Sequence, residues 1–137
     1  MAQLPVIIVE DMTKAAGEAR HSGCTKAVLS EHGEEQTSVY RVAPGGVIQS
    51  HLHSRVFDLF VGLKGCVDIT YEGQQGSGVV RLKPNAFCGM PPGVRHEVRN
   101  NSATEDAMFL LVHAPWDGYD FIPVAFKSKT AKASAAS

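Results

Sequence analysis

The chain has few of the features that mark secreted, membrane or nucleic-acid-binding proteins. Its three cysteines, Cys24, Cys66 and Cys88, are far apart and form no CxxC pair, which argues against a disulfide framework and a thiolate zinc site. Lys and Arg number 13 against 14 Asp and Glu, so the charge balance favours neither nucleic acid nor a membrane surface as a partner. These features predict a protein of a reducing compartment.

Long apolar runs are also missing. No stretch approaches membrane-spanning length, and Met1 is followed by Ala-Gln-Leu-Pro rather than by a basic segment and an apolar signal sequence. We therefore expect a soluble, cytoplasmic protein with no membrane contact. The 137 residues, 44% of them apolar, are enough for one folded core and leave no room for a second.

Short apolar runs broken by Gly, Pro and Asn fill the middle of the chain. This punctuation is typical of antiparallel β structure and predicts an all-β sandwich or barrel. The polar stretch from Glu72 to Gly78 is typical of an exposed hairpin connection. The runs expected to form strands are Thr37–Val42, Phe57–Leu63, Cys66–Tyr71, Val79–Leu82, Glu97–Arg99 and Ala107–His113.

The two ends of the chain differ from this middle part. Residues 5–9 are mostly β-branched and predict a short strand, while 11–20 carry helix formers behind Asp11, a good N-cap. We expect residues 1–34 to form an N-terminal covering segment and residues 35–126 to form the barrel. Residues 127–137 have nothing to bury and predict a disordered tail.

Three histidines carry the clearest chemical signal. His51 and His53 are separated by one residue, which on a strand points both rings to the same face. Asp58 follows five residues later, and His96 comes after the turn Pro91-Pro92-Gly93, in which glycine can supply a positive φ. Three imidazoles with or without a carboxylate suit one divalent ion of Fe, Mn, Ni, Cu or Zn.

The same residues fit two known motifs. Residues 45–65, with His51-Leu-His53, Asp58 and Gly65 at the required spacings, resemble the first cupin motif, and residues 85–100, with Pro91-x-Gly93, His96 and Asn100, resemble the second. The resemblance implies the cupin double-stranded β-helix, a jelly-roll barrel. It also implies that His51, His53 and His96 are metal ligands.

Two positions depart from the family pattern. Asn85 stands where the family usually has Gly, but Asn tolerates left-handed conformations, so the turn can survive. Asp58 stands where the family has a liganding Glu, and its carboxylate starts roughly 1.5 Å further back. Asp58 therefore either binds the metal directly or holds it through a water molecule, and both alternatives stay open.

Other residues are candidates for the substrate pocket. Arg55 can bind a substrate carboxylate or be merely solvated, Phe60 shares the predicted inward face of Asp58, and His113 closes the last strand as a base or as a structural group. Cys88 is expected to be a small core residue. His21 and His32 lie outside the motifs, and we assign them no function.

The strand containing Asp58 also bears on assembly. If Asp58, Phe60 and Gly62 face inward, then the outward face carries Phe57, Leu59, Val61 and Leu63, so both faces are largely apolar. Such a strand must be covered by the N-terminal segment or by a second subunit. We favour a homodimer.

Two classes of function follow from these residues. The first is a mononuclear metalloenzyme acting on a small organic acid, ketone or enol, with dioxygenase-like chemistry favoured and isomerase or lyase chemistry as alternatives on the same barrel. The second is a non-catalytic module that binds a sugar-like or metal-chelating ligand. An epimerase-type reaction needs a His base and a Tyr acid such as Tyr40 or Tyr71, and the retained motif histidines count against it.

Overall fold

The computed structural model describes residues 3–127 and is almost entirely β structure. Strands are longer than the sequence runs suggested because most extend into the neighbouring turns. The described residues form two single 3-10 turns, Met12–Lys14 and Trp116–Gly118, and nine strands: β1 (Glu18–His32), β2 (Glu35–Leu52), β3 (Phe57–Lys64), β4 (Val67–Gly73), β5 (Gly76–Leu82), β6 (Phe87–Met90), β7 (Arg95–Arg99), β8 (Ala107–Ala114) and β9 (Ile122–Pro123).

Strand β2 connects the two halves of the barrel. Residues 36–42 pair with β8, whereas residues from 47 onward pair with β7. The change of partner occurs around Gly45, which has φ +77°, and Gly46, where an added Cβ would lie 2.7 Å from the Gly23 carbonyl oxygen. Glycines are needed here because the strand bends with a left-handed residue while another backbone passes close by.

The strands form one curved antiparallel sheet in the order β5-β4-β7-β2-β8-β3-β6, with β1 and β9 also paired to β2. The two halves face each other, and their inward side chains form one apolar cluster that includes Ile69, Val98, Phe60, Phe109 and Leu111. Strands β5 and β6 stand at the two ends of the order, so the barrel has a seam between them. The predicted all-β jelly-roll barrel is confirmed.

Several local predictions are also confirmed. Asn85 has φ 71° and Gly93 has φ 84°, so both turns use the left-handed conformations that these residues tolerate. Along β3 the residues alternate as predicted: Asp58, Phe60 and Gly62 are buried. The polar stretch between β4 and β5 is a hairpin connection.

The N-terminal part differs from the sequence prediction. Residues 5–9 form no strand within the described chain, and Val6 and Ile8 are 85% and 77% exposed. Asp11 does cap a helical turn by accepting a hydrogen bond from Thr13 N, but the turn covers only Met12–Lys14. The helix predicted over 11–20 is therefore too long, because Glu18 already begins β1. Pairing with β2 outweighs the local helix propensity.

Three strands were missed by sequence reasoning. Strand β1 forms a hairpin with β2 and pairs with it from Ser22 to His32, although its residues show no clear alternation of polar and apolar positions. Strand β6 is only four residues long and contains Gly89, and β9 is only two residues long. Strands β6 and β9 pair with β3 and β2, which are distant in the chain, and a local pattern does not record such pairing.

Two further predictions concern the C-terminal tail and membrane-spanning segments. The predicted disordered tail lies, apart from Lys127, outside the described residues. No helix in residues 3–127 is long and apolar enough to cross a membrane.

Candidate metal centre

Three strands bring four potential ligands to one end of the barrel. His51 lies at the end of β2 with His53 just beyond it, Asp58 lies on β3 and His96 lies on β7. Their ligand atoms all lie within 4.8 Å of one another, and all four side chains are buried. Direct pairing of His51 with His96 in the β2–β7 ladder places one histidine of each motif side by side.

Backbone carbonyl groups orient all three imidazole rings. Nδ1 of His51 lies 2.7 Å from the Gln49 carbonyl oxygen and Nδ1 of His96 lies 2.9 Å from that of Val94, while Nδ1 of His53 bonds to the carbonyl of Asp120. A carbonyl oxygen can only accept, so each Nδ1 carries the proton. In the neutral rings Nε2 therefore keeps a free lone pair, the form in which histidine binds a metal.

The Asp58 carboxylate lies where these lone pairs converge. Nε2 of His53 and Nε2 of His96 each lie 3.1 Å from the same oxygen, Asp58 Oδ2. With the protons on Nδ1, two lone pairs face a carboxylate oxygen, an arrangement that is repulsive unless a positive charge lies between the groups. Among residues 3–127, the buried Asp58 Oδ1 has no hydrogen-bond partner. Three nitrogens and one carboxylate with a surplus of acceptor sites fit a divalent metal ion.

Burial sets the protonation of this cluster. It lowers the pKa of His51 to about 3, helped by the neighbouring His96, so His51 is neutral. Burial by itself would raise the pKa of Asp58, but positive charge beside the carboxylate, on the neighbouring histidines or on a cation held between them, keeps that pKa well below its usual range, so Asp58 is ionised. The salt-bridge partners that the structure gives Asp58 are histidines.

His113 lies beside the cluster. It pairs directly with Asp58 in the β3–β8 ladder, and its Nε2 lies 3.4 Å from Asp58 Oδ1. The ring is 2% exposed, burial lowers its pKa to about 4, and its Nδ1 has no hydrogen-bond partner in the described part of the chain. His113 thus faces the second oxygen of the carboxylate whose first oxygen faces His53 and His96.

A segment after β8 covers the centre from the barrel end. We call residues 119–124 the strap. Phe121 stacks on His51 with ring centroids 4.1 Å apart, and Tyr119 packs against His53 and His113. The Asp120 side chain accepts hydrogen bonds from the backbone N and the hydroxyl of Ser54. The cavity enclosed between strap and ligands is about 10 Å³, which is about the space that one water molecule or ion needs.

A buried lysine lies on the β1 side of the same barrel end. Lys26 is 7% exposed, donates to Gln36 Oε1 and lies over the rings of Tyr40 and Trp116 at 5.5 and 5.4 Å from their centroids. Burial lowers its pKa to about 8. The two aromatic faces stabilise the ammonium group where water is excluded.

Of the three predicted pocket residues, two line the cavity over the candidate ligands and one does not. Phe60 lines the cavity and meets His96 edge-on, with ring centroids 6.2 Å apart, and His113 lines it too. Arg55 does not line it: its side chain is exposed beside Gly118. Cys88 is half-buried and packs against the core.

Sequence reasoning missed the aromatic cover of the site. His21, assigned no function from the sequence, lines the cavity and stacks on Phe121 with ring centroids 5.6 Å apart. Trp116, Tyr119 and Phe121 were not considered either. The sequence does carry a signal for this cover, because three of the six residues 116–121 after the last predicted strand are aromatic. Large aromatic side chains are unusual in an exposed loop and indicate packing against another part of the protein.

A larger space lies along the seam between β5 and β6. This groove of about 750 Å³ ends at the turn of residues 91–94. Val80 and Tyr71 line one wall, and Cys88 and Met90 line the other. The protein therefore has a small space over the candidate ligands and a larger groove one strand away from two of them.

The chain belongs to the cupin family. The family model for the cupin domain matches residues 38–113, which include both motifs and all four clustered ligands. No curated protein matches the chain.

Solved structures with the same fold are numerous. The TT1209 protein of Thermus thermophilus is 26% identical, with a TM-score of 0.65 over 78% of this chain and 96% of that chain. KdgF from a Halomonas species is 14% identical, with a TM-score of 0.68 over 82% and 94%. A recombinant oxalate oxidase in complex with glycolate is 17% identical, with a TM-score of 0.67 over 90% and 67%.

The bonds between Asp120 and Ser54 hold the strap, which gives a first prediction. In Asp120→Ala, amide hydrogen exchange measured by mass spectrometry should become faster in residues 119–124, because the strap loses two hydrogen bonds to the β2–β3 connection. The core strands should keep their exchange rates. Asp106→Ala, which removes an exposed contact with Arg41, is the matched control. Unchanged exchange in the strap of Asp120→Ala would show that these bonds do not hold it.

Proposed function

We propose that this cupin binds one divalent transition metal ion through His51, His53, Asp58 and His96 and that it is a metal-dependent enzyme. One observation carries the metal site: three imidazoles with their protons fixed on Nδ1 converge with an ionised, buried carboxylate. A cation between them removes the repulsion and accepts the three Nε2 lone pairs together with one from the carboxylate. The donor set suits Fe, Mn, Ni, Cu or Zn, and cellular supply decides among them.

The substrate class we propose is a small organic acid, ketone or enol, with dioxygenase-like chemistry favoured. A bound ion of this kind supplies Lewis-acid polarisation and, for iron, reaction with O₂. Support comes from the donor set, since four protein ligands leave positions free in a six-coordinate ion. The oxalate oxidase neighbour has the same fold, but a shared fold does not select a reaction.

The surrounding residues have defined tasks in this proposal. The carbonyls of Gln49, Val94 and Asp120 fix each imidazole in the ligand tautomer. His113 packs beside the second oxygen of Asp58, with its Nε2 3.4 Å from Oδ1. Phe60 and Phe121 exclude water from two sides of the ligands.

The small closed cavity favours a second candidate, a non-catalytic binding module. With the strap in place the space of about 10 Å³ admits no organic substrate. An enzyme therefore needs either movement of the strap or approach from the seam groove. A module that only holds a metal ion needs neither.

Metal content tests the ligand assignment. Untagged protein should contain close to one equivalent of metal by elemental mass spectrometry, and His51→Ala and His96→Ala should lose most of it because each removes one of four ligands. Circular dichroism should stay unchanged, since the β core and not the ion builds the barrel. His32→Ala, at the last residue of β1, should keep its metal. Full occupancy in both ligand variants would refute the site.

Oxygen uptake separates the two candidate functions. Protein reconstituted with Fe(II) should consume O₂ in the presence of at least one member of a panel of diketones, enols and hydroxy acids, and His51→Ala should not. An oxygen electrode measures the uptake, and chromatography identifies the product. Tight ligand binding without any turnover across the panel would favour the binding module.

We also propose that the protein is a homodimer. Phe57 and Phe87 are 48% and 64% exposed on the outward face of neighbouring strands, and Leu59 lies half-buried between them. Exposed apolar surface of this kind is typical of an interface. Sedimentation velocity of wild-type protein should give a dimer, and Phe57→Glu should shift it to monomer. A monomeric wild-type protein would contradict the proposal.

A further inference from the structure

The seam groove is a large concave space one strand away from two of the candidate metal ligands. Its volume of about 750 Å³ lies within the range of roughly 300–1,000 Å³ that is usual for small-molecule sites. A second space of about 520 Å³ adjoins its hairpin end, and the charged residues of that space are Glu72, Arg95 and Lys127. The cavity under the strap is only about 10 Å³, so the groove has the room for an organic ligand that this cavity lacks.

Strand pairing connects the groove walls to the metal ligands. Met90 pairs directly with Asp58 in the β3–β6 ladder, and Tyr71 pairs directly with His96 in the β4–β7 ladder. Directly paired residues project to the same face of a sheet, with their Cβ atoms about 5 Å apart. Both walls thus lie one strand away from a ligand on the same inner face.

The end of the groove is tied to a third ligand. Gly93, in the turn that closes the groove, donates its backbone N–H to the carbonyl oxygen of His53 at 2.8 Å. The positive φ of Gly93 leaves open space where a side chain would stand. A hydrogen bond therefore links the turn at the end of the groove to the backbone of a candidate metal ligand.

The side chains of the groove define the chemistry of its ligand. None of the described residues that line it is charged. The walls are largely apolar, and the polar groups are Tyr71 and the amide and hydroxyl side chains of Gln74, Gln75 and Ser77 at the hairpin end. A carboxylate in this groove would lose its hydration without gaining a cationic partner, which is costly. An uncharged molecule with an apolar body has no charge to desolvate and therefore does not meet this cost.

We infer that the seam groove is the substrate site and that it takes an uncharged organic molecule with an apolar body, whose polar end points toward the metal ligands. The inference rests on the proposed metal-dependent function and narrows its substrate class to ketones and enols over organic acids. Val80 is the position that tests it, because it lines the groove, whereas its neighbour Val79 is 49% exposed and is not a lining residue.

The experiment uses the neutral apolar dye Nile red in fluorescence titrations of the full chain. Wild-type protein and the control Val79→Arg should bind the dye with the same Kd, and Val80→Arg should bind it at least tenfold more weakly because a charge enters the groove. Cys88→Trp, which fills the groove from the opposite wall without a charge, should also weaken binding. Equal binding by all four proteins would overturn the inference, since the dye would then sit elsewhere.

Displacement of the dye tests the charge class. In wild-type protein 1-octanol should displace Nile red at concentrations at least tenfold lower than octanoate, since only the anion meets an uncharged groove at a cost. Equal displacement, or stronger displacement by octanoate, would overturn the assignment to uncharged molecules.

Two further measurements keep the outcomes separate. Metal content should be equal in wild-type, Val80→Arg and Val79→Arg proteins, so failure of the metal site would appear there and would leave the dye data readable. Sedimentation velocity should give the same oligomeric state for Val80→Arg and Val79→Arg. A change confined to Val80→Arg would identify the groove as an interface between two copies and would overturn the inference.

Discussion

One electrostatic constraint governs this end of the barrel: three imidazole lone pairs and a carboxylate converge at one buried point. The repulsion exists because the carbonyls of Gln49, Val94 and Asp120 hold each proton on Nδ1, away from the centre. Burial keeps His51 neutral, so removing the repulsion by protonating this ring would cost free energy. Strand β2 bends at Gly45, and beyond the bend His51 pairs with His96 in the β2–β7 ladder. This pairing brings two of the three rings to the point of convergence.

The two sides of the candidate metal centre differ in the volume of the space beside them and in the side chains that line it. Toward the barrel end the strap packs Phe121 and Tyr119 onto the histidines and leaves space for an ion alone. Toward the seam, where β5 and β6 end the sheet, the space is large and uncharged. Together these features support the proposal of a metal centre that is shielded from water on the strap side and that takes an uncharged ligand from the seam side.

The sequence was informative where a property depends on neighbours in the chain. The His51-x-His53 spacing, the left-handed Asn85 and the Gly93 turn are local, and all three have the expected geometry. Asp58 is shorter than the usual Glu, yet it lies in the cluster because β3 brings its Oδ2 within 3.1 Å of two rings. The stacking of His21 on Phe121 joins two residues that are far apart in the chain, which a local pattern does not record. Arg55, which the sequence predicts for the pocket, is exposed beside Gly118 and does not line the cavity over the candidate ligands.

The metal site we propose places one cation among His51, His53, Asp58 and His96. The most direct measurement is an anomalous difference map from a crystal of the metal-loaded protein, recorded at the absorption edge of the metal identified by elemental analysis. We expect a single strong peak bounded by Nε2 of His51, His53 and His96 and by the carboxylate of Asp58. A fully loaded protein with its peak elsewhere, or with no peak between these side chains, would contradict the proposed site.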